Sequence, residues 1–116
     1  MSHSVFRGIA TPFARLREQV PFDAPNVAEA PATAGVYFLY SGHRMIYIGV
    51  AANGATIQER LECHLQGGDS TCTERASGFA CEPARDPLPL YWAYMNVYRG
   101  GVGGLLPDCN LDTEQP

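Results

Sequence analysis

Two short apolar segments separated by a turn constrain the fold of this chain more than any other feature. The first segment, Val36 to Tyr40, follows a glycine and is rich in aromatic and β-branched residues, which is typical of a β-strand. A Ser-Gly-His-Arg turn at 41–44 separates it from a second such segment, Met45 to Val50. Two strands joined by a short turn predict a β-hairpin.

The two-residue period of a strand divides the side chains of this hairpin between two faces. Tyr37 and Leu39 are expected on one face of the first strand. On the second strand, Tyr47 and Gly49 are expected to share a face, opposite Ile46. A three-residue turn would place Tyr37 directly across from Tyr47, but the sequence leaves the register between the strands open.

A helix is expected after the hairpin, once Asn53-Gly54 has broken the second strand. Thr56 and Glu59 have the spacing of a capping box, in which the two side chains satisfy backbone N–H groups of the first helical turn. Arg60 and His64 lie four residues apart, so they share one edge of the helix and are expected where it meets the sheet. The apolar stripe of the helix consists of Ile57, Leu61 and Leu65.

The chain before the hairpin, residues 1–34, is predicted to form an N-terminal helix and an extended connection. Thr11 can cap a helix that begins at Pro12, and its apolar stripe continues to Val20. Residues 21–34 contain three prolines among alanines, which is typical of an extended segment.

Two further elements are predicted in the second half of the chain. After a polar loop at 69–76, Gly78 to Glu82 is a candidate third strand. Asp86-Pro87 offers a capping acid and a proline at the first helical position, which predicts a helix over Leu88 to Tyr98. The aromatic residues of this stretch also suit a buried strand. Glycines between 100 and 104 predict a flexible turn, and the tail is expected to be irregular.

The predicted fold class is α/β, or α+β in the stricter sense, with a small, mostly antiparallel three-stranded sheet flanked by helices. A chain of 116 residues buries one core, so residues 1–116 are expected to form a single domain. No apolar run approaches the roughly 18 residues that a membrane span requires. The N-terminus lacks the apolar segment of a secretory signal, so a cytoplasmic location is expected.

Charge and cysteine usage limit the possible partners. The net charge is −4, which argues against a broad surface that wraps DNA. All eight basic residues are arginine, and an arginine can form a bidentate pair with a phosphate. Without C-x-x-C spacing, the four cysteines are expected to be free thiols in a reducing compartment. The alternative is a zinc site built from Cys72, Cys81, Cys109 and His64.

The motifs Gly35-Val36-Tyr37 and Tyr47-Ile48-Gly49, followed by the capped helix with Arg60 and His64, resemble the GIY-YIG nuclease family. The resemblance covers residues 35–82 well and defines a motif core at 35–110. The ending GGLLPDCN is similar to one in small stand-alone bacterial members. The resemblance implies a GIY-YIG-like domain and an endonuclease, a hydrolase that cleaves DNA phosphodiester bonds with Mg²⁺ or Mn²⁺.

The resemblance also implies roles for individual residues. Tyr37 would be the general base or would orient the attacking water, and Tyr47 would hydrogen-bond water or phosphate. Arg60 would stabilise charge on the phosphate, and His64 would support the first tyrosine or act in its place. A tyrosine has a pKa of about 10, so it needs a nearby cation to act as a base. The candidate substrate-binding residues are Gly49, Arg44 and Asn110, although a solvated turn also explains Arg44.

The chain departs from the family at the metal ligand. The family's metal-binding glutamate lies on the helix after the third strand, whereas Leu88 to Tyr98 contains no acid and Ala93 stands near the expected position. A hard divalent cation needs carboxylate ligands. Three explanations for the missing glutamate compete. The glutamate was replaced deliberately, or the natural protein lost cleavage and kept binding. The third explanation is that Glu82 or Glu114 holds the metal. The alternative function is a catalytically inactive module that binds nucleic acid or protein.

Overall fold

One antiparallel sheet organises the molecule. The computed structural model describes residues 19–67, 71–101 and 107–111. Within these residues the sheet has four strands in the order β1–β4–β2–β3, which makes a small α+β domain with its helices. The strands are β1 (Val20–Pro21), β2 (Gly35–Ser41), β3 (Arg44–Ala51) and β4 (Gly78–Pro83). The expected sheet of three strands lacked β1, because a strand of two residues is too short to leave a pattern in the sequence.

Helices pack on both faces of this sheet, and each face has its own apolar core. The helices are α1 (Ala24–Ala28), α2 (Ile57–Leu65), α3 (Thr71–Glu74), α4 (Pro87–Gly101) and a 3₁₀ helix (Asp108–Leu111). The first core contains Tyr37, Tyr47 and the buried stripe of α2. The second core contains Phe38 and the buried aromatic residues of α4. None of the described helices is long and apolar enough to cross a bilayer.

The sequence signals at helix starts are confirmed. Thr56 and Glu59 form the predicted capping box at the start of α2. The helix after Asp86 begins at Pro87, so the alternative of a buried strand over the aromatic residues is wrong. The apolar stripe of α4, which includes Tyr91, Met95 and Tyr98, is buried against the sheet.

The hairpin of β2 and β3 has a two-residue loop, since Ser41 pairs with Arg44. In the resulting register, Tyr37 lies opposite Gly49 rather than opposite Tyr47. The two tyrosines are therefore diagonal neighbours across the strands, which long aromatic side chains can span.

A β-bulge corrects the predicted faces of β3. Leu39 pairs with Tyr47 but Tyr40 pairs with Met45, so Ile46 has no partner on β2. An extra residue in one strand shifts the alternation of side chains. Ile46 therefore lies in the same core as Tyr47, although strict alternation had placed it on the opposite face.

The segment before the hairpin differs from its prediction. Val20 belongs to β1, so a helix does not reach this residue; the predicted helix start at Thr11-Pro12 lies outside the described residues. Residues 21–34 are not entirely extended, because α1 lies within them. Asp23 caps α1 by accepting a hydrogen bond from the Asn26 N–H at 3.0 Å, and a proline occupies its first turn.

The segments around α3 and the 3₁₀ helix also correct the sequence analysis. Residues 71–74 are helical rather than loop, and the described part of the tail is a 3₁₀ helix. Gly100 and Gly101 belong to α4 rather than to a turn. Cys72 and Cys109 form a disulfide across 37 residues, with a Cα–Cα distance of 5.6 Å. This bond overturns both the expectation of four free thiols and the alternative zinc site.

Candidate functional site

Tyr37, His64 and Thr73 form a buried chain of hydrogen bonds. The Tyr37 hydroxyl lies 2.8 Å from His64 Nε2. On the other side of the ring, His64 Nδ1 lies 3.1 Å from Thr73 Oγ1. Three elements contribute to this chain, since Tyr37 is on β2, His64 on α2 and Thr73 on α3. The histidine is therefore fixed in position from both ring nitrogens.

Tyr47 completes an aromatic cluster around the same histidine. Its ring meets the His64 ring edge to face at a centroid distance of 4.9 Å, and the Tyr37 ring at 6.1 Å. Tyr37 is 1% exposed, and Tyr47 and His64 are 0% exposed. The structure thus brings together three of the four predicted catalytic residues, and it places all three beneath the surface.

Gly49 provides the space in which the Tyr37 ring lies. The two residues are directly opposite in the sheet, and a Cβ atom on Gly49 would collide with Cζ and the hydroxyl of Tyr37. Every other residue type would therefore displace the tyrosine from His64. Gly49 acts here through the position of Tyr37, which differs from the substrate contact expected from the sequence.

Arg60, the fourth predicted catalytic residue, lies one helical turn before His64 on α2 and is half-buried. The four-residue spacing puts it on the same side of the helix as the histidine. Arg60 is therefore the cationic side chain of α2 that lies nearest in sequence to His64, the cluster residue on the same helix.

Arg44 is held at the surface by an acidic residue of the 3₁₀ helix. Its Nε and one terminal nitrogen each donate to a different carboxylate oxygen of Asp108, both at 2.9 Å. Arg75 approaches the same carboxylate at 3.6 Å. The hydrogen bond from Arg44 holds the pKa of Asp108 below its usual range. This bidentate pair engages the guanidinium that the sequence analysis had assigned to substrate.

Asn110 binds the outer edge of β3. Its side-chain oxygen accepts from the Ile48 N–H at 2.9 Å, and its side-chain nitrogen donates to the Ile48 carbonyl at 3.0 Å. A single amide thus satisfies both backbone groups of one residue, as a neighbouring strand would. Asn110 is 6% exposed, so its observed contacts stabilise the strand that carries Tyr47.

The described residues do not fit a divalent metal ion in this cluster. They contain no group of three or more histidine, cysteine, aspartate or glutamate residues that could hold one. Glu82 lies on β4 and accepts a hydrogen bond from Tyr94 of α4 at 2.8 Å, so it belongs to the side of the sheet covered by α4. Ala93 is on the half-buried flank of α4. Glu114 lies outside the described residues.

Thr73 and Asp108 are site residues that the sequence analysis missed. Thr73 sits in a polar stretch that was expected to be a loop, so nothing indicated that its hydroxyl is buried. Asp108 lies in the closing GGLLPDCN segment, where no local pattern indicated its ion pair with Arg44. Neither residue could be identified from sequence spacing, because both meet their partners through tertiary contacts.

Comparisons with known proteins do not identify a family. A scan of the chain against protein-family models finds no match, and a search of curated proteins finds no matching relative.

Proposed function

We propose that this chain is a GIY-YIG-type nuclease domain that acts on phosphodiester bonds of DNA. The observation that carries the proposal is the hydrogen bond between the Tyr37 hydroxyl and His64 Nε2. It joins residues from two separate motifs whose presence in one chain suggested the family.

The proposed chemistry begins with this pair. With its proton on Nδ1, His64 donates to Thr73 and accepts from Tyr37 through Nε2. Tyr37 then has a base beside it that can take its proton, as general base catalysis requires. Arg60 is the proposed partner of the phosphate, because a guanidinium binds two phosphate oxygens at once. No step passes through a metal ion, since the described residues do not provide its ligands.

The burial of Tyr37 and His64 adds a condition for cleavage. Tyr37 and His64 lie beneath the surface, so a phosphodiester reaches the tyrosine only after local opening of the structure around it. Short or single-stranded DNA is the proposed substrate, because the net charge of −4 disfavours an extended contact with duplex. The proposed location is the cytoplasm.

The test is a cleavage assay on labelled single-stranded, duplex and branched DNA, with Mn²⁺ and with EDTA. The variants are Tyr37→Phe, which removes the reacting hydroxyl, and Ala93→Glu, which introduces a carboxylate on α4. We expect the original chain to cleave at least one of these substrates, with a loss of at least about 100-fold in Tyr37→Phe. Ala93→Glu measures whether a carboxylate on α4 raises cleavage in Mn²⁺. Asn96→Ala on the exposed side of α4 is the matched control. No cleavage by the original chain or by Ala93→Glu on any substrate would refute the nuclease proposal.

The second candidate is a member that binds nucleic acid without cleaving it. The absence of a metal-binding group among the described residues favours this alternative. It predicts DNA binding that weakens steeply with salt, with no product in the cleavage assay. Absence of binding at low salt would instead favour a protein-interaction module.

A further inference from the structure

Two very short elements hold the aromatic and histidine cluster in place. Helix α3 and the 3₁₀ helix have four residues each. Helices this short have little stability of their own, because the first turn is costly to form. Their position must therefore come from tertiary contacts.

Each element contributes one supporting side chain next to a disulfide cysteine. In α3, Thr73 contacts His64 Nδ1 and directly follows Cys72. In the 3₁₀ helix, Asn110 binds the Ile48 backbone and directly follows Cys109. The disulfide therefore joins the element whose Thr73 contacts His64 to the element whose Asn110 binds the strand that carries Tyr47.

We propose that the Cys72–Cys109 disulfide is a redox-dependent support of the Tyr37–His64 pair, and that its reduction releases Thr73 from His64. Cys109 belongs to the first core and Cys72 packs against it. We expect reduction to leave both cores in place, because most of their other residues are on the strands, α2 and α4. The loss is confined to α3, the 3₁₀ helix and the side chains they hold. The inference does not depend on the proposed nuclease activity.

The reaction partner is a dithiol, for which Cys72 is the accessible target. Cys72 is half-buried, whereas Cys109 is 0% exposed. A thiolate of the reductant attacks Cys72 Sγ, the bond to Cys109 breaks, and Cys109 leaves as a thiolate that takes up a proton. The second thiol of the reductant then closes its own disulfide and releases Cys72. Two electrons and two protons pass from the dithiol to the protein.

The test follows the ring nitrogens of His64 by ¹⁵N NMR in the full chain, without DNA, before and after addition of dithiothreitol. We expect the Nδ1 resonance to lose its hydrogen-bonded position on reduction. In the oxidised chain, Thr73→Val should reproduce this change, because it removes the hydroxyl and keeps the shape of the side chain. Thr73→Ser, which keeps a hydroxyl, should not. A Cys72→Ala/Cys109→Ala double variant should match the reduced protein.

Cys81 reports whether the rest of the fold survives. Cys81 packs against the first core, and burial raises the pKa of its thiol to about 12. We therefore expect it to react slowly with iodoacetamide at pH 7.5 in the folded chain. We expect Cys81 to stay slow after reduction. Fast alkylation of Cys81 would overturn the proposal, since it would mean that the disulfide holds the whole fold. Unchanged His64 resonances in the reduced chain, or four titratable thiols in the unreduced and denatured chain, would also overturn it.

Discussion

The pairing of Tyr37 with Gly49 shows how a single position controls the site. A tyrosine ring that approaches the neighbouring strand this closely needs a partner without a side chain, and the register supplies a glycine there. The close approach explains why this position in β3 carries glycine despite the low β-propensity of that residue.

Gly49→Ala should therefore destabilise the protein and disturb the cluster. The added methyl group collides with the Tyr37 ring, and overpacking of a buried site costs about 1–3 kcal/mol. Urea denaturation measures the change. Gly100→Ala is the control, because a Cβ atom there meets nothing within 4 Å and alanine suits a helix better by about 1 kcal/mol. Equal stability of Gly49→Ala and the original chain would contradict the close approach.

At the residue scale, the sequence predicted some side-chain positions but few of their contacts. The two-residue period placed Tyr37 and Leu39 on one face, and the structure confirms it. Tyr47 and Ile46 were expected on opposite faces but lie in the same core, because a bulge depends on the pairing of two strands rather than on one strand's pattern. The contact between His64 and Thr73 depends on tertiary packing, which spacing alone does not encode.

Among the elements, the outer edge of β3 depends on the 3₁₀ helix. β3 is the last strand in the order of the sheet, and open strand edges need protection from other chains. Asn110 gives that protection at Ile48 through both of its side-chain hydrogen bonds. The tail of the chain thus acts as a one-residue extension of the sheet.

Substitutions of Asn110 should separate its two hydrogen bonds. Asn110→Ala leaves a buried N–H and carbonyl of Ile48 without their partner, which costs about 1–3 kcal/mol. Asn110→Asp keeps the acceptor but loses the donor and faces the Ile48 carbonyl with a charged oxygen, so we expect it to be no better than alanine. Thermal unfolding of both variants, with the exposed Asn96→Ala as control, checks the prediction. A stability of Asn110→Asp close to the original chain would argue that only the acceptor matters.

Helix starts were predictable because capping is local, and the remaining errors have a common cause. The signals at Thr56 and Asp86 each lie within a few residues of the helix they start. Asp23 carries a similar signal for α1, with Pro25 two residues later, but the prolines around it favoured an extended interpretation. The elements that the sequence missed, β1, α1, α3 and the 3₁₀ helix, are only two to five residues long and are defined by their partners.

At the scale of the whole molecule, the two faces of the sheet have different supports. The face covered by α4 is held by a long helix with a continuous aromatic stripe. The face with Tyr37 and His64 is covered by α2 together with α3 and the 3₁₀ helix, which the disulfide joins. The charged pair of Arg44 and Asp108 adds a contact at the surface of this face, where solvent limits its contribution.

The disulfide should therefore have a measurable effect on global stability as well as on the site. It closes a loop with a sequence separation of 37. Closing a loop of that size restricts the unfolded chain and raises the free energy of unfolding by about 2–4 kcal/mol. We expect the free energy of unfolding of the Cys72→Ala/Cys109→Ala variant, measured in urea, to be lower by this amount, in a single cooperative transition. Cys63→Ala, a change at a free thiol, controls for loss of a cysteine side chain. Because the entropic effect acts on the unfolded state, its loss lowers stability without moving His64 in the folded state. A variant that loses stability and keeps the His64 resonances would assign the disulfide to the unfolded chain alone, whereas loss of both would place its action in the folded site as well.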